Sequence, residues 1–216
     1  MVFTLGLVLA ALLRALWQRD RAEPALRWWS AGQFVLAAGM LLIGLRDIAP
    51  NLLTIDFANA LLILAFGLVW GGARRFAGAP APPAGILAGS LAWLLACQIP
   101  ALYASLPARI ATLSAITTAL LLAIGAAFRQ GMRQDRLPSH RAMLLVVGGL
   151  ALLQLLRGLG VLALPMRSSG MARPDADWEN LLAILSVALQ AGMGVLMVAL
   201  GLERGERRNS WLMRAR

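Results

Sequence analysis

Six polar side chains stand inside long apolar runs of this 216-residue chain: Asp56, Asn59, Gln98, Gln154, Arg157 and Gln190. One carboxylate, one guanidinium and four amides can do three things inside a bilayer. They can hydrogen-bond to one another as glue between helices, line a pocket for a small ligand, or mark a transport path. An ionisable residue inside a membrane span is a functional candidate because burying it unpaired is expensive. For Arg157 facing lipid, the cost is at least about 2.5–3.5 kcal/mol on insertion scales. Asp56 is the one carboxylate within a predicted span, so an Asp56–Arg157 pair, with Asn59 and the glutamines adding hydrogen bonds, is the simplest expected arrangement.

What the chain lacks removes other chemistry. All twenty basic residues are arginine and none is lysine, so a Schiff-base pigment and lysine catalysis are excluded. Arginine keeps its proton in any protein environment, which makes it a poor proton shuttle. Cys97 is the single cysteine and His140 the single histidine. An intramolecular disulfide, a thiolate metal cage and a bis-histidine haem within one chain are therefore ruled out. No metalloprotease, nucleophile-elbow or phosphate-loop motif is present. The expectation is a protein with no catalytic residues, no metal and no cofactor, and not itself an enzyme.

The elements that must carry these groups follow from composition. The chain is 60% hydrophobic, with 14% charged residues and a mean hydropathy of +0.74. Soluble domains are nearer half apolar. This is an all-α, polytopic integral membrane profile. Its partner is the lipid bilayer, and the +10 net charge reads as span-flanking arginine with no nucleic acid implied. Seven transmembrane helices are predicted, over 1–18, 28–45, 51–71, 85–106, 108–128, 142–165 and 180–202. At 1.5 Å per residue, Asn59, Gln98 and Arg157 lie about 12 Å from the outer ends of their spans, Gln190 about 15 Å and Asp56 about 8 Å. Gln154 shares a helix face with Arg157.

Fourteen arginines fall in the connections after spans one, three and five and in the tail, against Arg46, Arg109, Arg167 and Arg173 on the opposite side. This bias predicts an outside N-terminus and a cytoplasmic C-terminus. Arg14 can snorkel to the same inner side. Positive charge follows the first apolar stretch, so the stretch is read as an uncleaved span and not a signal peptide. Trp17, Trp28, Trp29 and Trp70 are expected as inner interfacial anchors, and Tyr103 and Trp178 as outer ones. Asp175, Asp177 and Glu179 precede span seven, where a helix N-terminus favours negative charge. Gly67 with Gly71, and Gly85 with Gly89, each form a small-residue packing motif, within the chain or in a homodimer. Residues 1–202 are thus one seven-helix domain, and 203–216 a short basic cytoplasmic tail that can lie on the anionic inner leaflet.

The stretch GLRDIAPNLLTIDFANALLILAFGLVWGGARRFAG (44–78) resembles the multi-helix membrane sensor region that precedes the GGDEF domain of bacterial diguanylate cyclases. The resemblance is carried by Arg46, Pro50, Asn59, Gly72, Arg74 and Arg75, by Arg109 after a proline, by Arg157, and by GLERGERRN (201–209). Asp56 departs from it. The chain has no GGDEF motif, so cyclase activity is not carried over; the expectation is an excised sensor region or a stand-alone protein, with SWLMRAR favouring a natural terminus. The resemblance implies a bacterial inner-membrane signal-input domain that binds a small ligand or responds to membrane state, and relays to a cytoplasmic GGDEF or other signalling partner. The alternative is a small membrane transporter or permease subunit.

Overall fold

The structure is a computed structural model that describes residues 2–163 and 177–214. These are mostly helical, with no strand among the described residues. The helices are α1 (Val2–Arg19), α2 (Pro24–Gly44), a π-helical turn (Leu52–Phe57) running into α3 (Ala58–Phe76), α4 (Pro83–Ala96), α5 (Pro100–Ala104), α6 (Leu106–Gln134), α7 (Ser139–Ala163) and α8 (Asp177–Arg214). Five of them are long and apolar enough to cross a bilayer: α2, the π-turn with α3, α6, α7 and the Asn180–Ser210 part of α8. The chain is a multi-pass membrane protein.

Local chemistry sets the helix ends. The Glu23 carboxylate caps α2 by accepting from the Ala25 N–H, and Pro24 occupies the first turn, where a missing N–H does no harm. The Ser105 hydroxyl caps α6 in the same way. Helix α3 ends at Gly78, whose φ of +71° suits a residue without Cβ. The Gly78 and Ala79 N–H groups close back on the Arg75 and Arg74 carbonyls, the paired bonds of a Schellman stop.

The predicted fourth span, 85–106, is not one helix. Helix α4 has 14 residues, about 21 Å, against about 30 Å of hydrocarbon. Pro100 has no N–H and its ring would clash with the carbonyl four residues back, so a helix cannot run on through it. The chain breaks at Cys97–Ile99 and resumes as the five-residue α5.

Helices α1, α2, α3, α6, α7 and α8 form a closed circuit in which each packs on the next and α8 returns to α1. Helix α4 stands outside this ring, against α3, α6 and the π-turn. The two glycine motifs make that attachment. A Cβ on Gly67 would collide with the Ile86 carbonyl oxygen of α4, and one on Gly85 would enter the Trp70 ring of α3. Gly89 faces Ile63, Leu120 and Ile116. Both motifs therefore serve packing within the chain.

The larger core lies inside the ring and includes Leu13, Trp29, Phe76, Phe128, Met143 and Met197. Trp29 is fully buried, its ring centroid 5.2 Å from Phe76 and 5.9 Å from Phe128. It is a core residue and not the interfacial anchor expected from its position beside Trp28. Sequence locates a tryptophan near a helix end, but the face it occupies depends on the neighbouring helices.

Candidate functional site

Asp56 sits in the π-helical turn. Such turns carry one extra residue per turn and are frequent at functional sites. The wide register is visible where the Ala58 N–H reaches the Leu53 carbonyl, five residues back. Widening leaves carbonyls to be satisfied, and three side chains do so. Thr54 Oγ1 donates to the Pro50 carbonyl at 3.3 Å, Asn59 Nδ2 to Ile55 at 2.8 Å, and Trp93 Nε1 to the Asp56 carbonyl at 3.0 Å. One turn further on, Ser90 Oγ donates to the Ala60 carbonyl at 2.9 Å. Asn59 thus holds its own helix in shape, while Trp93 and Ser90 fasten α4 to the distorted segment.

The Asp56 side chain is buried. The Tyr103 hydroxyl and the Cys97 thiol come within hydrogen-bonding reach of its carboxyl, and the nearby positive charge is the Arg109 guanidinium. Arg109 is 4% exposed and lies 5.5 Å from the Tyr103 ring centroid. Asp56 Oδ1 is buried without a hydrogen-bond partner among the described residues. The arrangement is a carboxylate–guanidinium site with a phenol and a thiol at its edge. The unpartnered Asp56 Oδ1 can accept one further hydrogen bond.

The expected partner of Asp56 was Arg157, and the structure corrects this. The π-turn packs against α2, α3 and α4, whereas α7, which carries Arg157, packs on α6 and α8. The chain breaks before Pro100 and resumes as α5 and α6, and this path leaves Arg109 near Asp56. Gln98 is exposed and donates to its own Leu94 carbonyl. Gln154 lies in a cleft of about 150 Å³ between α6 and α7, with Ser114 and Thr118. Gln190 is half-buried on α8, a helix that does not reach the π-turn. The six sequence candidates are therefore spread over several places, and Asp56 and Asn59 share one of them.

From sequence, Cys97 carries no role, Tyr103 reads as an interfacial ring and Arg109 as a charge flanking a span. The signal that could have joined them to Asp56 is the pair Pro100 and Pro107, which forces a tight reversal within ten residues.

A second constellation lies at the arginine-rich end. Arg204 of α8 pairs with Glu23 at 3.4 Å and Asp135 at 3.8 Å, donates to the Phe76 carbonyl at 2.6 Å, and covers the Phe76 ring. Arg207 holds Asp135 at 2.6 Å and the Arg136 carbonyl at 2.7 Å, and Arg208 pairs with Asp20. Glu203 accepts from the Ser139 hydroxyl at 2.6 Å. Burial pushes the Glu23 carboxyl above its ordinary range, against the downward pull of Arg204. These contacts tie α8 to the connections α1–α2 and α6–α7 and to the end of α3. Residues 203–214, expected as a tail, continue α8 as helix. The acids Asp175, Asp177 and Glu179, expected as an N-terminal cap of the last span, and the tail's Trp211 and Leu212, expected at the leaflet surface, have side chains outside the described residues.

No family model, no curated protein and no solved structure matches this chain.

Proposed function

We propose that the chain is a bacterial inner-membrane signal-input unit, with the arginine-rich end in the cytoplasm. A small polar ligand enters the Asp56 site, and α8 passes the response to a cytoplasmic output domain or partner. The observation that carries this reading is the buried, incompletely satisfied Asp56 carboxylate in a π-helical turn ringed by Tyr103, Cys97 and Arg109. A physical route supports it: α3 begins at that turn and ends at Phe76, whose carbonyl is held by Arg204 of α8. A ligand acts through such a route only if it prefers one of two arrangements. The resemblance of residues 44–78 supports a diguanylate-cyclase-type output.

The orientation has a direct test. A fluorescent protein fused after Arg216 is bright in cells and alkaline phosphatase there is inactive, because the arginine-rich end stays inside. An active phosphatase fusion reverses the assignment.

The ligand reading is tested by screening small polar compounds for a rise in the melting temperature of the full chain. A binder at 100 times its Kd adds about 2.7 kcal/mol of stability. The expected hit stabilises the wild type, fails to stabilise Asp56→Asn, and is not accumulated by proteoliposomes. Asp56-dependent accumulation would instead establish a transporter. Hits indifferent to Asp56 would remove the site from the proposal.

A further inference from the structure

At the arginine-rich end of the α1–α2 face, Trp17 gathers three guanidiniums. Arg21, Arg14 and Arg27 lie 3.9, 4.5 and 5.9 Å from its ring centroid. All three arginines are exposed. The carboxylates next to them in sequence are engaged elsewhere, Asp20 by Arg208 and Glu23 by Arg204. No described carboxylate forms an ion pair with the three. An indole face can attract one cation, but like charges this close repel and call for an anion between them.

Two of these arginines, Arg14 and Arg27, stand at the mouth of a groove. A cleft of about 490 Å³ runs between α1 and α2, with Arg14 and Arg27 at one end and Leu7, Ala11, Ala31 and Phe34 along its walls. Leu7 is seven residues before Arg14, and Phe34 seven residues after Arg27, so each wall extends about 10 Å from the arginines toward the membrane centre. Alanines at 10, 11 and 31 keep the groove open, and Phe34 is 60% exposed along its edge. The Ser30 hydroxyl is already engaged by the Ala10 carbonyl at 2.9 Å. Cations at the interface and an apolar trough leading inward match a headgroup phosphate and an acyl chain.

The geometry points to a bound anionic phospholipid of the leaflet at the arginine-rich end, its phosphate held by Arg14 and Arg27 and one chain lying in the α1–α2 groove. Guanidinium is suited to this because its planar fork donates two parallel hydrogen bonds to phosphate oxygens. Basic pockets on membrane helices bind anionic headgroups in the same way. The inference goes beyond the signal-input reading and needs only the membrane-protein assignment.

The test is native mass spectrometry of the delipidated full chain in detergent, titrated with phosphatidylglycerol, phosphatidylcholine or inorganic phosphate. Phosphatidylglycerol binds with one tight site and phosphatidylcholine does not. The double variant R14Q/R27Q binds phosphatidylglycerol about thirtyfold more weakly, the loss of two guanidinium charges. The control R129Q/R133Q, which removes two exposed arginines of α6 at the same end, stays within about twofold. Equal losses in both double variants would reduce the effect to bulk electrostatics and overturn the site. Competition by inorganic phosphate at the lipid's own concentration would also overturn it, because the apolar groove would then contribute nothing. Phe34→Ala separates the two parts: it weakens phosphatidylglycerol while leaving the salt dependence of binding unchanged. An altered salt dependence in that variant would count against a chain-binding groove. All five residues are exposed, and unchanged melting temperatures verify that each variant is folded.

Discussion

Arg204→Ala destabilises the protein by about 3–5 kcal/mol at neutral pH, the usual penalty for removing one partner of a buried ion pair. Glu23 is 5% exposed, so water does not replace the lost guanidinium. The same change frees the Phe76 carbonyl and uncovers its ring. The pH dependence follows from Glu23. Its carboxyl already titrates above its ordinary value of 4.5 because it is buried, and Arg204 opposes that rise. A group with a raised folded pKa contributes stability that is complete below the unfolded pKa and is lost as pH climbs through the folded one. Without Arg204 the folded pKa rises further. The deficit of the variant is therefore largest near neutrality and narrows as pH falls through the raised folded pKa values toward 4.5, where Glu23 is protonated in the folded state of both proteins. Unfolding in detergent at several pH values measures this. Arg207→Ala is the comparison: Arg207 is 48% exposed, and its loss costs about 1 kcal/mol or less. A deficit in Arg204→Ala that is equally small, or constant with pH, would mean that Glu23 is solvated and the clamp around α8 is loose.

The second large effect belongs to Asp56 and Arg109. Arg109→Ala leaves a buried carboxylate, and Asp56→Ala leaves a guanidinium that is 4% exposed. Each single change costs up to about 3–5 kcal/mol by analogy with soluble proteins, less where other polar groups compensate. The double alanine variant is milder than the sum, with a coupling energy above the roughly 0.5 kcal/mol within which independent sites add. Asp56→Asn is the gentlest change, since an amide oxygen can still accept from Tyr103. The parallel cycle of Asp56 with Arg157 is additive, because α7 does not reach the π-turn. Coupling to Arg157 and not to Arg109 would restore the pairing expected from sequence and remove the site described above.

What the sequence determined by itself is local or summed over a segment. Apolar runs of about twenty residues specify membrane helices whatever their neighbours are, because every backbone group must be satisfied within the helix. The arginine asymmetry likewise comes from counting residues in connections, and those connections do gather at one end, where Arg204, Glu23, Phe76 and Asp135 meet. The need of Asp56 for an internal partner was also legible, since a carboxylate in an apolar run has few alternatives. Which partner it takes was decided by tertiary structure. Depth along a helix placed Arg157 at a suitable level, but depth says nothing of the face a residue occupies or of which helices adjoin. Those depend on the π-turn that carries Asp56 and on the break at Pro100, which interrupts a predicted span and leaves Arg109 near Asp56. They depend equally on glycines whose missing Cβ atoms let α4 approach α3. Each is a relation between segments distant in sequence, and it exists only once the helices have packed.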